Sequence, residues 1–337
     1  MRLPFYQGDG SGRRHETAEK LPVSQRSRLL KAENYIADPG LRDACNVALL
    51  LGQPLLLTGE PGTGKTQFAY NLAWELGLDP PLKFETKSDS VARDLFYTYD
   101  ALKRFQDIQT GLTSSQTLNY VTYQALGLAI LRTRQPEEVN HIVPTDFILP
   151  HSQRSVVLID EIDKASRDFP NDVLNELEQL YFKIPELGNV KVEVDPKSQP
   201  IVIITSNSEK DLPDAFLRRC IYYHIPFPKS ERLMSIIVSH LGTNTDMNNA
   251  FLQDALDLFY KFRASENVLR KKPATAELLG WLITLQRFST GKENPLEDPQ
   301  VIFKTMSSLI KTAEDQSKAR NIVEQWIKRQ KMMNHNG

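Results

Sequence analysis

Cysteine is scarce in this chain: Cys45 and Cys220 are the only two among 337 residues. That excludes a disulfide-stapled scaffold and any cysteine-based zinc spacing, and it fits buried free thiols in a reducing cytosol. Net charge is nearly absent too, with 41 basic against 42 acidic residues and a formal charge of −1. A dedicated nucleic-acid coat is thereby disfavoured, although a local basic stripe is not. Long apolar runs are missing: the nearest, from Asn46 to Thr58, is broken by Gly52, Gln53 and Pro54, short of the roughly 18 residues a membrane span needs. The first residues, with Arg2, Pro4, Gln7 and Asp9, hold no apolar core of a secretion signal. No internal repeat or heptad run occurs. What remains is a chain that is 40% hydrophobic and 25% charged, enough apolar surface for one or two cores rather than dominant disorder. The length suggests about two domains.

Three stretches differ in character. Residues 1–31 carry seven basic and three acidic residues with little apolar periodicity, and read as a basic, flexible arm. From Pro39 a helix is expected to about Leu51, stopping at Gly52. Strand candidates at Leu55–Thr58, Leu82–Thr86, Ser155–Asp160, Ile201–Thr205 and Ile221–Ile225 alternate with helical patterns, among them Phe68–Leu76, Tyr123–Arg132 and a stripe from Val173 to Tyr181. That alternation predicts an α/β domain over 32–226 with a five-stranded parallel sheet covered on both faces. Beyond Pro226 and Pro228 the strand signals stop. Stripes at Leu252–Phe262, Leu278–Phe288 and Ile302–Leu309 predict a smaller all-α domain over 227–333.

The chemistry-bearing residues fall between strand and helix. Gly59-Glu60-Pro61-Gly62-Thr63-Gly64-Lys65-Thr66 fits G-x-x-x-x-G-K-[ST] in the strand–loop–helix context that this pattern needs. Its glycines let successive N–H groups curl inward toward phosphate oxygens. The helix that follows adds its positive end, Lys65 reaches the β- and γ-phosphates, and the Thr66 hydroxyl can ligate Mg²⁺. A second apolar strand delivers Asp160 and Glu161 at its carboxyl end: Asp160 for the metal, Glu161 as general base toward a water. If the strand Ile201–Thr205 lies between those two strands, Asn207 stands near the γ-phosphate. Arg218 and Arg219 close a short helix before the fifth strand. Too far from their own loop, they are placed to reach the nucleotide of an adjacent subunit.

This order of motifs resembles the AAA+ ATPases, and Arg42–Thr66, Leu158–Ala165 and Ile203–Arg219 look most like the MoxR family. The resemblance covers roughly residues 32–330. It implies a P-loop AAA+ module of three layers followed by an all-α lid, with ATP and Mg²⁺ as ligand and metal. By carry-over, Asn207 takes the sensor 1 position and Arg219 the arginine finger, with Arg218 the second choice. Pro273 stands where a sensor 2 arginine is expected, leaving Arg270, Lys271 and Lys272 as candidates. Families of this clade carry an insertion between the second and third strands. Here 94–146 would hold it, longer than expected for MoxR proteins.

The resemblance further implies ring-shaped hexamers in the cytoplasm that remodel partner proteins, commonly ones with a von Willebrand factor A domain. Two other readings compete. One is a nucleic-acid-acting motor or loader, using Arg13, Arg14, Lys103, Arg104 and the cluster Lys318, Arg320, Lys328, Arg329 and Lys331; a charge run of this kind is usually a solvated face. The other is a nucleotide-gated scaffold, weakened because Glu161 is dispensable for binding alone.

Overall fold

A computed structural model describes residues 31–110, 117–144, 153–208, 212–242, 249–264, 269–288 and 294–335. The basic arm over 1–30, with Arg13 and Arg14, lies outside them. The chain divides into two compact units, residues 37–227 and residues 31–36 with 228–335.

In the first unit five strands pair in parallel: β1 (Leu55–Thr58), β2 (Leu82–Glu85), β3 (Val156–Asp160), β4 (Ile201–Thr205) and β5 (Ile221–His224), in the order β2-β3-β4-β1-β5. Every residue of β1 and β3 is buried, which a central strand achieves only when both faces are covered. Helix α1 (Pro39–Leu51) packs on β5 and β1, and α2 (Lys65–Glu75) packs on β3 and β4. The ends of α1 are written locally. The Asp38 carboxylate accepts the Leu41 N–H at 2.9 Å, Pro39 holds the first helical position, and Gly52 closes the helix at φ 64°.

Within 94–146, Tyr97–Tyr99 pairs antiparallel with Val121–Tyr123, and α3 (Ala101–Gln109) lies between them in the chain. Helix α4 (Ala125–Leu131) then packs back on β2 and β3. Gly127 permits that approach, since a Cβ there would sit 2.0 Å from the Phe96 carbonyl oxygen. Residues 111–116 and 145–152 of this region lie outside the described residues.

Two expectations change here. The stripe running to Tyr181 ends earlier: α5 (Phe169–Gln179) stops at Leu180, which is left-handed at φ 44°. Tyr181 instead opens a hairpin, Tyr181–Ile184 with Val190–Glu193, whose loop closes through Gly188 and Asn189, both at positive φ. Neither this hairpin nor the insertion ribbon was among the expected strands. Their three- and four-residue strands are too short for a period to register.

The second unit holds α7 (Ser230–Leu241), α8 (Asn249–Arg263), α9 (Thr275–Phe288), α10 (Pro299–Thr305) and α11 (Ala313–His335) around Trp281, Phe251, Phe259 and Phe262; α6 (Asp214–Leu217) belongs to the first unit. The stripe Ile302–Leu309 is not one helix, because α10 gives way to a 3₁₀ turn at Met306–Ser308. Residues 32–36, expected at the start of the α/β domain, pack with the helices instead. Arg232 Nη2 donates to the Ile36 carbonyl at 3.2 Å and Ser239 Oγ to that of Asn34 at 2.8 Å.

Candidate functional site

The loop after β1 turns on glycines. Gly59, Gly62 and Gly64 have φ of 142°, 77° and 93°. A Cβ on Gly59 would lie 2.7 Å from the Ile225 carbonyl oxygen, so both conformation and space demand glycine. Gly64 then caps α2 in the left-handed region, leaving the first N–H groups of the helix without a side-chain acceptor from the cap. Glu60, Pro61 and Gly62 are exposed, whereas Thr63 bonds back through Oγ1 to the Glu60 carbonyl at 2.9 Å and braces the curl.

Lys65 is buried and folds over this loop. Its Nζ donates to the carbonyls of Gly59 at 2.8 Å and Glu60 at 3.2 Å and to Asn207 Oδ1 at 3.0 Å. Burial pushes its ammonium below the ordinary lysine value, against the opposing pull of Asp163, Asp160 and Glu161. Asn207 thus meets Lys65, and its own N–H donates to Asp163 Oδ1 at 3.1 Å. It lies just past β4, which runs between β1 and β3.

Asp160 is the hub. Its Oδ1 accepts from Thr66 Oγ1 at 2.9 Å and from Thr205 Oγ1 at 2.7 Å, and Lys83 Nζ stands 3.0 Å from Oδ2. Burial alone would raise this carboxyl, but the bonds from Thr205, Lys83 and Thr66 outweigh it and hold the group below the usual aspartate value. The same Thr205 hydroxyl accepts the Glu161 N–H at 2.8 Å. Glu161 adopts φ 57°, a left-handed backbone uncommon outside glycine, and its carboxylate is ion-paired with Lys164.

Lys83 and Thr205 escaped sequence reasoning. Neither has anything in its own segment to mark it, and only the pairing of β2 and β4 on either side of β3 brings them to Asp160. Burial would lower the Lys83 ammonium, yet its bonds to Glu85 and Asp160 shift it upward overall.

The donors suit a hard cation. Thr66 and Asp160 offer oxygen, and among the described residues no group of three or more His, Cys, Asp or Glu could hold a metal alone. That is the pattern for Mg²⁺ shared between one or two protein oxygens and substrate phosphates.

The arginines stand elsewhere. Ile221 pairs with Leu55, the first residue of β1, and its N–H bonds the Pro54 carbonyl at 2.8 Å. Arg218 and Arg219 therefore lie at the amino edge of the sheet, about 13 Å of strand from the glycine loop at ~3.3 Å per residue. Both are exposed, and Arg219 Nε pairs with Glu178 Oε1 at 2.7 Å. Arg270, Lys271 and Lys272 are exposed residues of the helical unit.

Cys45 and Cys220 are buried free thiols, pushed by burial to about 11 and about 12. Among the described residues no helix is long and apolar enough to cross a membrane.

Residues 55–229, slightly more than half of the chain, match the family described as "ATPase family associated with various cellular activities (AAA)". No curated protein matches the chain. Many solved structures are similar, among them the three that follow. A FIGL-1 AAA domain in complex with ADP is 16% identical, covering 89% of this chain and 88% of that one at a TM-score of 0.41. A threonine-to-valine variant of RuvB from Thermotoga maritima is 13% identical, with 83% and 72% covered at 0.42. A putative ATPase from Cytophaga hutchinsonii is 12% identical, with 90% and 93% covered at 0.39.

Proposed function

The chain belongs to the AAA family of ATPases, and from that premise we propose that it spends ATP hydrolysis on remodelling a partner protein, as a MoxR-type ring with active sites shared between subunits. One observation carries the hydrolytic part: two hydrogen-bonded groups, Lys65 with Asn207 and Asp160 with Thr66 and Thr205, stand side by side at the carboxyl ends of three adjacent strands.

In this reading the curled backbone of 59–64 and the start of α2 bind the phosphates. Lys65 exchanges its bonds to Gly59 and Glu60 for phosphate oxygens while keeping Asn207 in reach. Thr66 and Asp160 would hold Mg²⁺, which would supply positive charge to offset that of the phosphates. Glu161, released from Lys164, accepts the proton of the attacking water, and Asn207 orients that water. The position of Arg219 at the far edge of its own sheet supports an arginine finger delivered to the neighbouring subunit, with Arg218 as its alternate. Loss of the Glu178 pair then accompanies assembly.

The remodelling part is supported by α3. Leu102, Phe105 and Ile108, spaced along one helix, are all exposed, and such an apolar stripe suits a protein client. By resemblance that client carries a von Willebrand factor A domain and the ring is a hexamer. The two buried free thiols support a reducing, cytoplasmic setting.

The test is Glu161→Gln with ATP. The variant should retain nucleotide and assemble with turnover lost, and affinity capture in ATP but not ADP should recover the client. Full turnover by Glu161→Gln would reassign the base. Arg219→Ala should lose hydrolysis, and mixing it with Glu161→Gln subunits should restore it. Stimulation by DNA that fades with added salt would move the reading to a nucleic-acid motor.

A further inference from the structure

Lys83 is the second residue of β2, and that strand's register sets Glu85 opposite Asp160. Its Nζ lies between two carboxylates, 2.7 Å from Glu85 Oε1 and 3.0 Å from Asp160 Oδ2. Asp160 is thus divided: Oδ1 takes two neutral hydroxyls, from Thr66 and Thr205, while Oδ2 meets a full positive charge. The difference matters for a metal. A hydroxyl dipole can share a carboxylate with a cation, whereas an ammonium repels a cation of like sign drawn to the same group. The Lys83 side chain is also partly open to solvent and borders a cleft of about 550 Å³ that it shares with Glu85, Lys87, Asp89 and Asp94. Replacing it leaves no void in the core.

We propose that Lys83 is a positioning residue of the nucleotide site. Seated on Oδ2, it fixes the rotation of the Asp160 carboxylate so that Oδ1 faces Thr66, and its charge lowers the affinity of the site for Mg²⁺ so that metal and nucleotide leave together. The proposal rests on the nucleotide-site reading above.

The experiment measures binding of a fluorescent ATP analogue across a Mg²⁺ titration, with bound Mn²⁺ counted by electron paramagnetic resonance in ADP. Lys83→Met should reach half-saturation at a metal concentration on the order of tenfold lower than the parent chain. Lys83→Arg, which keeps the charge, should match the parent. Glu85→Gln, which removes a negative charge and leaves Lys83 in place, should need more metal. A Lys83→Met curve that is unmoved, or moved to higher Mg²⁺, overturns the proposal and leaves the nucleotide site standing. Nucleotide binding by the parent chain that ignores metal overturns both.

Discussion

Each of the two units holds a buried aspartate that draws its donors differently. Asp315, buried in the helical unit, accepts the backbone N–H groups of Arg270 at 2.8 Å and Lys271 at 3.0 Å, with the Thr312 hydroxyl beside them. Asp160, 7% exposed at the end of β3, receives only side chains: Thr66, Thr205 and Lys83. Burial would raise both carboxyls, and in both the hydrogen bonds outweigh it and the shift is downward. Backbone donors cannot withdraw unless the chain unfolds, so Asp315 staples the 270–271 loop to α11. Side-chain donors can swing away, so Asp160 is stabilised as an anion and still free to change partners. A low carboxyl pKa therefore does not separate structure from function, whereas the nature of the donors does.

The contrast can be tested from its strongest consequence down. Asp160→Asn should lower ATP turnover by about 10²–10³-fold, the range for removing one stabilising group from a polar active site, with the melting curve by circular dichroism nearly unchanged. Equal loss of fold and turnover would erase the distinction. Asp315→Asn should do the reverse, costing about 1.5–3 kcal/mol in urea unfolding while turnover per folded molecule is kept. The sign with pH follows. A carboxyl lowered in the folded state contributes stability above its ordinary value of 3.8 and loses it as pH falls through the folded value. The gap between parent and Asp315→Asn should therefore close as the solution is acidified below about pH 4.

Gly127→Ala sharpens the comparison within the α/β unit. Its methyl would press on the Phe96 carbonyl, costing about 1–3 kcal/mol of unfolding free energy, with nucleotide affinity retained in the folded fraction. The smallest change in stability belongs to α3. Serine at Leu102, Phe105 and Ile108 should each shift unfolding by no more than about 0.5 kcal/mol, yet together abolish capture of the client in the Glu161→Gln background.

Legibility in the sequence tracks how local each cause is. The glycine loop, the helix start at Pro39 and the stop at Gly52 depend on neighbours within a few residues and could be read directly. The three central strands β1, β3 and β4 were legible because buried parallel strands are continuous apolar runs, while β2 and β5 at the sheet edges stood out only by their place between helical patterns. The hairpin after Leu180 was not, since its alternation spans four residues and Leu180 needs a left-handed turn that leucine does not advertise. Lys83 carried no signal, because its partner Asp160 lies on another strand. The grouping of 32–36 with the helices was equally hidden, because it rests on carbonyls that accept from Arg232 and Ser239, and every residue has a carbonyl.

Taken alone, the sequence determined which segments curl, cap and bury, and it named the phosphate loop and its two following carboxylates. Only the tertiary structure decided which side chains those carboxylates answer to. The bond from Thr66 to Asp160 spans 94 residues of chain and that from Lys65 to Asn207 spans 142. Such pairings follow from the lateral order of strands in a sheet, and no spacing along the chain encodes that order.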